Sequence, residues 1–370
     1  MDQLPYVDLP RQHAVLKTEL LQAIGRVLDH AQFVLGEEVA EFERRFAALC
    51  TVTYAIGVNS GTDALVLALS ALDVGPGDEV ITVPNSFVAT TSAIRLLGAR
   101  PVFVDVRDDL NIDPDRLEAA IGPATKAILP VHLTGRPCDM AAILAVAERR
   151  GVAVVEDCAQ AVGAEYAGRR VGSFGRLGCF SLHPLKNLNA CGDGGVVTTD
   201  DAELAGRVRN LRDLGRIGRD DCGTWAGNSR LDTMQAAILL VKLEHLDRWT
   251  VRRREIAAQY RRALADLAAV RLPDEQPAER AVYHTFVIEA ERRDELRAFL
   301  GARGVGSAVH YPLPIHLTTA GQELGYPPGS FPVAEGQAAR ILSLPIYPEL
   351  TGAEVERVCA TIRAFYEGGA

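Results

Sequence analysis

Short apolar runs alternate with longer helical patterns through the first half of the chain. The runs are rich in Val, Ile and Ala and have the length of buried strands; they lie at residues 53–58, 79–83, 100–104, 127–130, 152–156 and 196–199. Between them, residues 63–72, 87–97 and 139–150 show helical periodicity. This alternation predicts an α/β fold built on a mainly parallel sheet.

A different pattern follows this alternation. Residues 214–228 are polar and rich in glycine, and residues 232–267 carry apolar side chains at helical spacing, which predicts a long helix with at most one break. Residues 273–280 favour a loop, and parallel-strand patterns become rare after it. We expect a large domain over residues 1–250, a smaller α+β domain over residues 251–370, and an N-terminal segment that packs on the small domain.

Composition and charge exclude several classes of function. The 370 residues include 24% charged side chains and carry a formal net charge of −9, with Lys and Arg scattered among acidic residues. No basic stripe suits nucleic acid. No apolar segment reaches the roughly 18 residues of a membrane span, and the N-terminus lacks a signal-peptide pattern, so we expect a cytoplasmic protein. The seven cysteines contain no CxxC pair, which favours reduced thiols and no metal centre.

The first candidate motif, Asn59-Ser60-Gly61-Thr62-Asp63, lies where a predicted strand meets a predicted helix. Gly61 lets the backbone approach a ligand, and the free amides of the helix start, together with the Thr62 hydroxyl, suit a phosphate. An N-cap role for Ser60 or Thr62 in a structural helix explains the same residues equally well.

The second motif follows the apolar strand pattern at residues 152–156, which leads to Asp157 and, shortly afterwards, Gln160. A carboxylate at a strand end can bind the protonated ring nitrogen of a pyridine cofactor, which strengthens the electron withdrawal by the ring. The alternatives are an ordinary N-cap aspartate or a metal ligand beside Glu156.

The third motif places Lys186 in the largely apolar segment Cys179-Phe180-Ser181-Leu182-His183-Pro184-Leu185-Lys186-Asn187-Leu188-Asn189, before Gly192-Asp193-Gly194-Gly195. Desolvation lowers the pKa of a lysine and frees its amine to form a Schiff base. A structural lysine with its head in water is the alternative. That alternative leaves the glycine cluster and Asp157 unexplained.

Together, Ser-Gly-Thr-Asp-Ala-Leu, Glu-Asp-Cys-Ala-Gln, Ser-Leu-His-Pro-Leu-Lys-Asn-Leu and Gly-Asp-Gly-Gly resemble, in order and spacing, the DegT/DnrJ/EryC1/StrS family of sugar aminotransferases. The resemblance covers nearly the whole chain. It implies a pyridoxal 5'-phosphate (PLP)-dependent transferase of fold type I, with a seven-stranded sheet in the large domain and a homodimer with shared active sites. It also implies ping-pong transfer from an amino acid, with L-glutamate expected, to a keto sugar linked to a nucleotide.

The resemblance assigns roles to individual residues. Lys186 would be the catalytic Schiff-base lysine, Asp157 the partner of the ring nitrogen, and Gln160 a contact near the ring hydroxyl. The remaining cofactor contacts would be Gly61, Thr62 and Ser181 at the phosphate, Phe87 stacked on the ring, and Asn228 reaching the phosphate from the other subunit. A core position for Phe87 is the alternative, because a single aromatic residue usually packs in the interior.

Contacts with the substrates are predicted from His183, three residues before Lys186, and from residues 309–316, which resemble a C-terminal active-site stretch of the family. His183, His310, Tyr311 and His316 are expected to contact the acceptor, and Arg230 the donor carboxylate; structural histidines are the alternative. The chain departs from the common family form at Asn189-Ala190-Cys191. A cyclitol ketone is the alternative acceptor. A PLP-binding regulator or scaffold without catalysis is the alternative function.

Overall fold

The computed structural model describes residues 3–368. A seven-stranded sheet forms its centre, in the order β1-β9-β8-β5-β4-β2-β3. Only β9 runs against the other strands. The members of this sheet are β1 (Tyr54–Val58), β2 (Glu79–Thr82), β3 (Arg100–Phe103), β4 (Thr125–Ile128), β5 (Ala153–Asp157), β8 (Leu177–Ser181) and β9 (Gly195–Thr199).

Two small sheets complete the strands among residues 3–368. One consists of β10 (Val270–Arg271), β12 (Phe286–Ala290) and β13 (Ile341–Leu344); the other consists of β6 (Glu165–Tyr166), β7 (Arg169–Arg170) and β11 (Glu279–Arg280). The mixed, mostly parallel central sheet confirms the predicted α/β class.

Helices cover both faces of the central sheet and the C-terminal sheet. They are α1 (Leu9–His30), α2 (Glu37–Cys50), α3 (Gly61–Ala71), α4 (Val88–Leu96), α5 (Leu117–Ala120), α6 (Met140–Arg150), α7 (Ala202–Arg212), α8 (Thr233–Leu243), α9 (Leu246–Leu264), α10 (Arg293–Ala302), α11 (Pro332–Ala338) and α12 (Gly352–Glu367). The helix predicted over residues 232–267 is therefore broken once, between α8 and α9. Among residues 3–368, no helix combines the length and apolar character needed to cross a bilayer.

Apolar packing ties the start of the chain to its C-terminal part. Leu4 is buried in a cluster formed by α9, α10, α12 and the strands β12 and β13, and its amide donates to the Gly304 carbonyl oxygen at 2.8 Å. Residue 250 falls inside α9, so a helix continues across the proposed domain boundary. The division into domains of residues 1–250 and 251–370 stays a prediction.

The cysteines are all free thiols; Cys191 and Cys222 are exposed and the other five are buried. Burial raises the pKa of several of these thiols, including those of Cys138, Cys158 and Cys179, which keeps them in the unreactive protonated form.

Candidate active site

A cavity of about 380 Å³ opens at the carboxyl ends of the parallel strands. The loops after β1, β2, β5 and β8 form most of its wall, as expected for a ligand site in an α/β sheet. The predicted site residues on this wall are Gly61, Thr62, Phe87, Asp157, Gln160, Ser181, His183, Lys186, His310 and Tyr311. Motifs that lie far apart in the sequence are thus brought to one cavity.

Lys186 lies in a tight turn after β8, where its amide donates to the His183 carbonyl oxygen at 2.8 Å. Burial lowers the pKa of the Lys186 ammonium to about 8, and the nearby Asp157 carboxylate opposes this shift. The desolvation expected from the apolar neighbours is therefore present. At pH 7 about a tenth of this amine is therefore uncharged and nucleophilic, far more than for a lysine of ordinary pKa.

Asp157 is the last residue of β5 and is only 3% exposed. One carboxylate oxygen accepts from the Thr90 hydroxyl at 2.8 Å and the other from the Ala159 amide at 3.1 Å. Burial raises its pKa, and these hydrogen bonds act against the rise. Within residues 3–368 it forms no ion pair, so a cationic group in the cavity would compensate a buried negative charge.

Behind Asp157, His132, Glu156 and Cys158 form a buried group with metal-ligand chemistry. The Glu156 oxygens accept from three backbone amides of residues 172–175 and lie 3.1 Å from His132 Nε2, while His132 Nδ1 accepts from the Cys138 amide. The carboxylate and the imidazole thus have protein partners already, which favours a structural role for this group over a metal site.

The corner at the start of α3 is suited to an anion. Ser60 is the N-cap, and its hydroxyl accepts from the Asp63 amide at 3.0 Å. A Cβ atom added at Gly61 would lie 2.5 Å from Ser181 Cβ, so only glycine allows this approach. The first amides of α3 and the Ser181 hydroxyl therefore border the same corner of the cavity.

Two further side chains shape the cavity beside Asp157. The Gln160 carbonyl oxygen accepts from the Thr134 amide at 2.7 Å, and its amide nitrogen donates to the Tyr311 hydroxyl at 3.4 Å. Phe87 is 51% exposed, and its ring centre lies 5.7 Å from that of Tyr311. Its exposure removes the alternative of a core aromatic and leaves a ring face available to a ligand.

The histidines predicted to contact substrate differ in their surroundings. His183 is exposed at the cavity, and His310 is held by Ser343, with Nδ1 2.9 Å from the hydroxyl oxygen. Burial, assisted by the charge of Lys186, lowers the pKa of His310 to about 4, so its ring is neutral at pH 7. Burial raises the pKa of Tyr311, which stays protonated.

The structure does not bring His316 or Arg230 to the cavity of this chain. His316 is fully buried, pairs with Glu335 at 3.1 Å and packs on Phe331, so it takes the structural role that was the alternative. Arg230 forms an ion pair with Asp213 at 2.7 Å outside the cavity. The predicted contact of Arg230 with a donor carboxylate therefore lacks support within one chain.

Asn228 is also absent from the cavity wall of its own chain. It lies exposed at the end of the glycine-rich segment, where Asp213 and Asn228 form an isolated antiparallel bridge outside the strands of the sheets. An exposed position is compatible with the contact across a dimer that the family resemblance implies. That contact stays a prediction.

Sequence reasoning missed several side chains on the cavity wall: Tyr6, Thr90, Arg253 and His284. Thr90 follows Phe87 by three residues, so the spacing could have indicated a shared face at the start of α4. Arg253 Nη1 donates to the carbonyl oxygens of Tyr283 and Ile346. The helical pattern of α9 does not indicate these hydrogen bonds, because the carbonyl groups that Arg253 contacts lie far from it in the sequence.

Comparison with known proteins agrees with this geometry. The model of the DegT/DnrJ/EryC1/StrS aminotransferase family matches residues 15–363. The chain is 46% identical to a dTDP-3-amino-3,4,6-trideoxy-alpha-D-glucose transaminase of Streptomyces venezuelae, covering 99% of this chain and 97% of the relative. It is 45% identical to a UDP-N-acetyl-3-dehydro-alpha-D-glucosamine 3-aminotransferase of Acidithiobacillus ferrooxidans, covering 99% and 98%.

Solved structures give the same result. The crystal structure of S. venezuelae DesV in complex with a ketimine intermediate has a TM-score of 0.97 at 46% identity and covers 99% of both chains. NtdA of Bacillus subtilis with the bound cofactor PMP has a TM-score of 0.92 at 31% identity, covering 99% of this chain and 86% of NtdA. The prediction of a fold type I aminotransferase is confirmed. The chain therefore belongs to the DegT/DnrJ/EryC1/StrS aminotransferase family.

Proposed function

We propose that this chain is a PLP-dependent aminotransferase that moves an amino group from an amino acid, with L-glutamate as the expected donor, to the keto group of a nucleotide-linked deoxysugar. One observation carries the proposal: Lys186, with its pKa lowered to about 8, and the buried carboxylate of Asp157 face the same cavity. The family membership of the chain supports the same reaction class.

The residues present fit PLP, which has three chemically different parts. The buried carboxylate of Asp157 suits the protonated ring nitrogen, and the start of α3 with Ser181 suits the phosphate. Phe87 offers an exposed ring face, and Gln160, held by the Thr134 amide, would be the polar partner of the ring hydroxyl. Lys186 would be the residue to which the cofactor attaches.

Different residues of the chain would take separate parts in the reaction. When bound, PLP withdraws electrons from the substrate carbon that carries the amino group, which makes a proton on that carbon removable. Lys186 Nζ would move this proton between the substrate carbon and carbon C4' of the cofactor; a pKa near 8 suits a group that must both accept and donate near neutral pH. The Thr90 hydroxyl and the Ala159 amide favour the anionic form of Asp157 that a ring nitrogen requires.

The acceptor is proposed from the relatives together with the cavity. The two relatives described above are named for a 3-amino sugar and for a 3-aminotransferase, but one name carries dTDP and the other UDP. We therefore propose a 3-keto sugar and leave the nucleotide to experiment. His183, His310 and Tyr311 are the proposed acceptor contacts, because the structure brings all three to the cavity wall.

The proposal includes a homodimer with shared sites, to which Asn228 of the partner chain would contribute at the phosphate. The exposed position of Asn228 supports this assignment. Replacement of Asn228 with Ala is expected to weaken PLP binding without changing the cavity of its own chain. Equilibrium dialysis of PLP against wild type and variant measures the effect, and equal affinities would contradict the assignment.

A two-step absorbance experiment tests the function. Excess L-glutamate added to the holoprotein is expected to replace the visible band of the PLP form with the near-ultraviolet band of the pyridoxamine form, and a set of 3-keto and 4-keto sugars with dTDP or UDP is expected to reverse the change. Mass spectrometry identifies the aminated product. The Lys186→Ala variant, loaded with PLP, is the matched control and should lose the response by about 10³-fold or more.

The outcomes separate the alternatives. Reversal by cyclitol ketones alone would replace the sugar assignment with the cyclitol one. A spectrum that no amino acid changes would favour a PLP-binding regulator or scaffold over an enzyme.

A further inference from the structure

The segment at residues 189–191 contains a buried amide in contact with the turn that carries Lys186. Asn189 is 3% exposed, and its Nδ2 donates to the Lys186 carbonyl oxygen at 3.0 Å and to Gln12 Oε1 at 3.3 Å. The turn is closed by a hydrogen bond from the Ala190 amide to the Leu182 carbonyl oxygen at 2.7 Å. Lys186 thus lies in a loop that the Asn189 side chain braces from inside.

A buried lysine fixes the orientation of this amide. Lys242, on α8, is fully buried, and its ammonium donates to Asn189 Oδ1 and lies 3.3 Å from His13 Nε2. No carboxylate pairs with Lys242 within residues 3–368. Because an ammonium only donates hydrogen bonds, the amide oxygen of Asn189 must face Lys242 and its NH₂ group must face the Lys186 carbonyl.

We propose that Asn189 and Lys242 are positioning residues for the transamination site: Lys242 sets the amide orientation of Asn189, and Asn189 holds the backbone of Lys186 so that its amine keeps a fixed approach to the cofactor. This inference rests on the proposed function. Neither side chain belongs to the cavity wall, so both act through the backbone of Lys186. A catalytic group displaced by about 1 Å can lose up to about 10²-fold in rate.

Asn189→Asp is the discriminating variant, because it keeps the shape and separates the two contacts. A carboxylate accepts well from Lys242, but its second oxygen faces the Lys186 carbonyl with no hydrogen to donate. The variant should unfold at the same temperature as the wild type or higher, with kcat lowered about 10-fold and KM for donor and acceptor within about 2-fold. The matched variant Asn189→Ala loses both contacts and should lower both kcat and the unfolding temperature.

Visible circular dichroism of the bound PLP gives a readout without turnover, since its amplitude depends on how rigidly the cofactor is held by its lysine. Asn189→Asp should lower this amplitude at unchanged PLP occupancy. Wild-type kcat and amplitude in a folded Asn189→Asp protein would overturn the inference. If this variant does not fold, Lys242→Met, which frees the amide to flip, takes its place: a lowered amplitude and kcat support the inference, and wild-type values overturn it.

The design separates this inference from the proposed function. The response of the wild-type spectrum to L-glutamate tests transamination, whereas the comparison of the variants with the wild type tests the brace on Lys186. A responsive wild type with unaffected Asn189→Asp would remove only the brace.

Discussion

Two adjacent carboxylates on β5 differ in their roles: Glu156 has structural hydrogen-bond partners, and Asp157 faces the candidate active site. Glu156 and Asp157 point to opposite faces of the strand, as successive residues must, and both are buried. Glu156 is surrounded by donors: three backbone amides of residues 172–175 and His132. Asp157 has two hydrogen bonds and faces a cavity. The protein thus surrounds Glu156 with hydrogen-bond donors, whereas Asp157 can still pair with a cationic group in the cavity.

Burial alone therefore does not identify a functional carboxylate in this protein. Glu156 is as deeply buried as Asp157, but its oxygens already have several hydrogen-bond donors. Its carboxylate therefore fixes the loop at residues 172–175. Asp157 keeps its charge available because its protein partners are few and neutral. The number of donors around a buried anion therefore distinguishes the two roles better than its exposure does.

Of the two carboxylates, Asp157 is expected to give the larger effect on catalysis when it is replaced, as Asp157→Asn. The amide removes the charge that a protonated ring nitrogen requires, so kcat should fall about 10²-fold or more. The free energy of unfolding of the cofactor-free protein should stay equal or increase, because a desolvated charge is removed. Half-reaction rates with L-glutamate and urea denaturation measure the two quantities. A variant with wild-type rates would remove Asp157 from the site.

A pH profile tests the lowered pKa of Lys186. Its folded pKa is lowered to about 8, so the reactive neutral amine predominates above pH 8 and declines below it. The rate of covalent PLP attachment to the cofactor-free protein should fall about 10-fold per pH unit below 8 and level off above it. Stopped-flow absorbance measures this rate. A profile that keeps rising to pH 10 would show that Lys186 has an ordinary pKa.

Phe87→Ala is expected to have a moderate effect. Loss of one stacked ring removes about 1 kcal/mol of contact, so PLP binding should weaken roughly 5-fold. Stability should change little, because the Phe87 ring is half exposed. Dialysis against PLP and thermal unfolding of the cofactor-free protein measure the two effects. A large loss of stability with unchanged PLP affinity would return Phe87 to a packing role.

The smallest effect on catalysis is expected from Glu156→Gln, which is the counterpart of Asp157→Asn on the other face. The introduced NH₂ group would face groups that only donate, so the free energy of unfolding should fall by about 2–3 kcal/mol. The rate per folded molecule should stay within about 2-fold of the wild type. Urea denaturation and active-site titration provide the test, and a catalytic defect as large as that of Asp157→Asn would contradict the distinction.

Much of the fold was predictable from local pattern. The apolar runs that lead to Val58 and Asp157 are short, β-branched and bounded by glycine or polar residues, so their strands were expected. The strand β8 was not, because its sequence Leu-Gly-Cys-Phe-Ser lacks β-branched residues. Its strand conformation comes from pairing with β5 and β9 on either side.

Some residues of the candidate site were likewise predictable from the sequence, and others were not. Asp157 was predicted because it follows a strand pattern, and Lys186 because it lies in a largely apolar motif that precedes a glycine cluster. His316 was proposed because residues 309–316 resemble an active-site stretch of the family, and Arg230 as a candidate for the donor carboxylate. Their partners Glu335 and Asp213 depend on tertiary packing that the sequence pattern does not contain. Thr90, whose hydroxyl donates to Asp157, was missed for the same physical reason, because this contact joins residues far apart in the sequence.

Borohydride reduction of the PLP-loaded protein, followed by protease digestion and peptide mass mapping, tests the central claim most directly. If the Lys186 amine binds the cofactor aldehyde, the reduced cofactor will be found on the peptide that contains Lys186, and Lys186→Ala will carry none. A reduced cofactor on another lysine, or no covalent label at full PLP occupancy, would contradict the account.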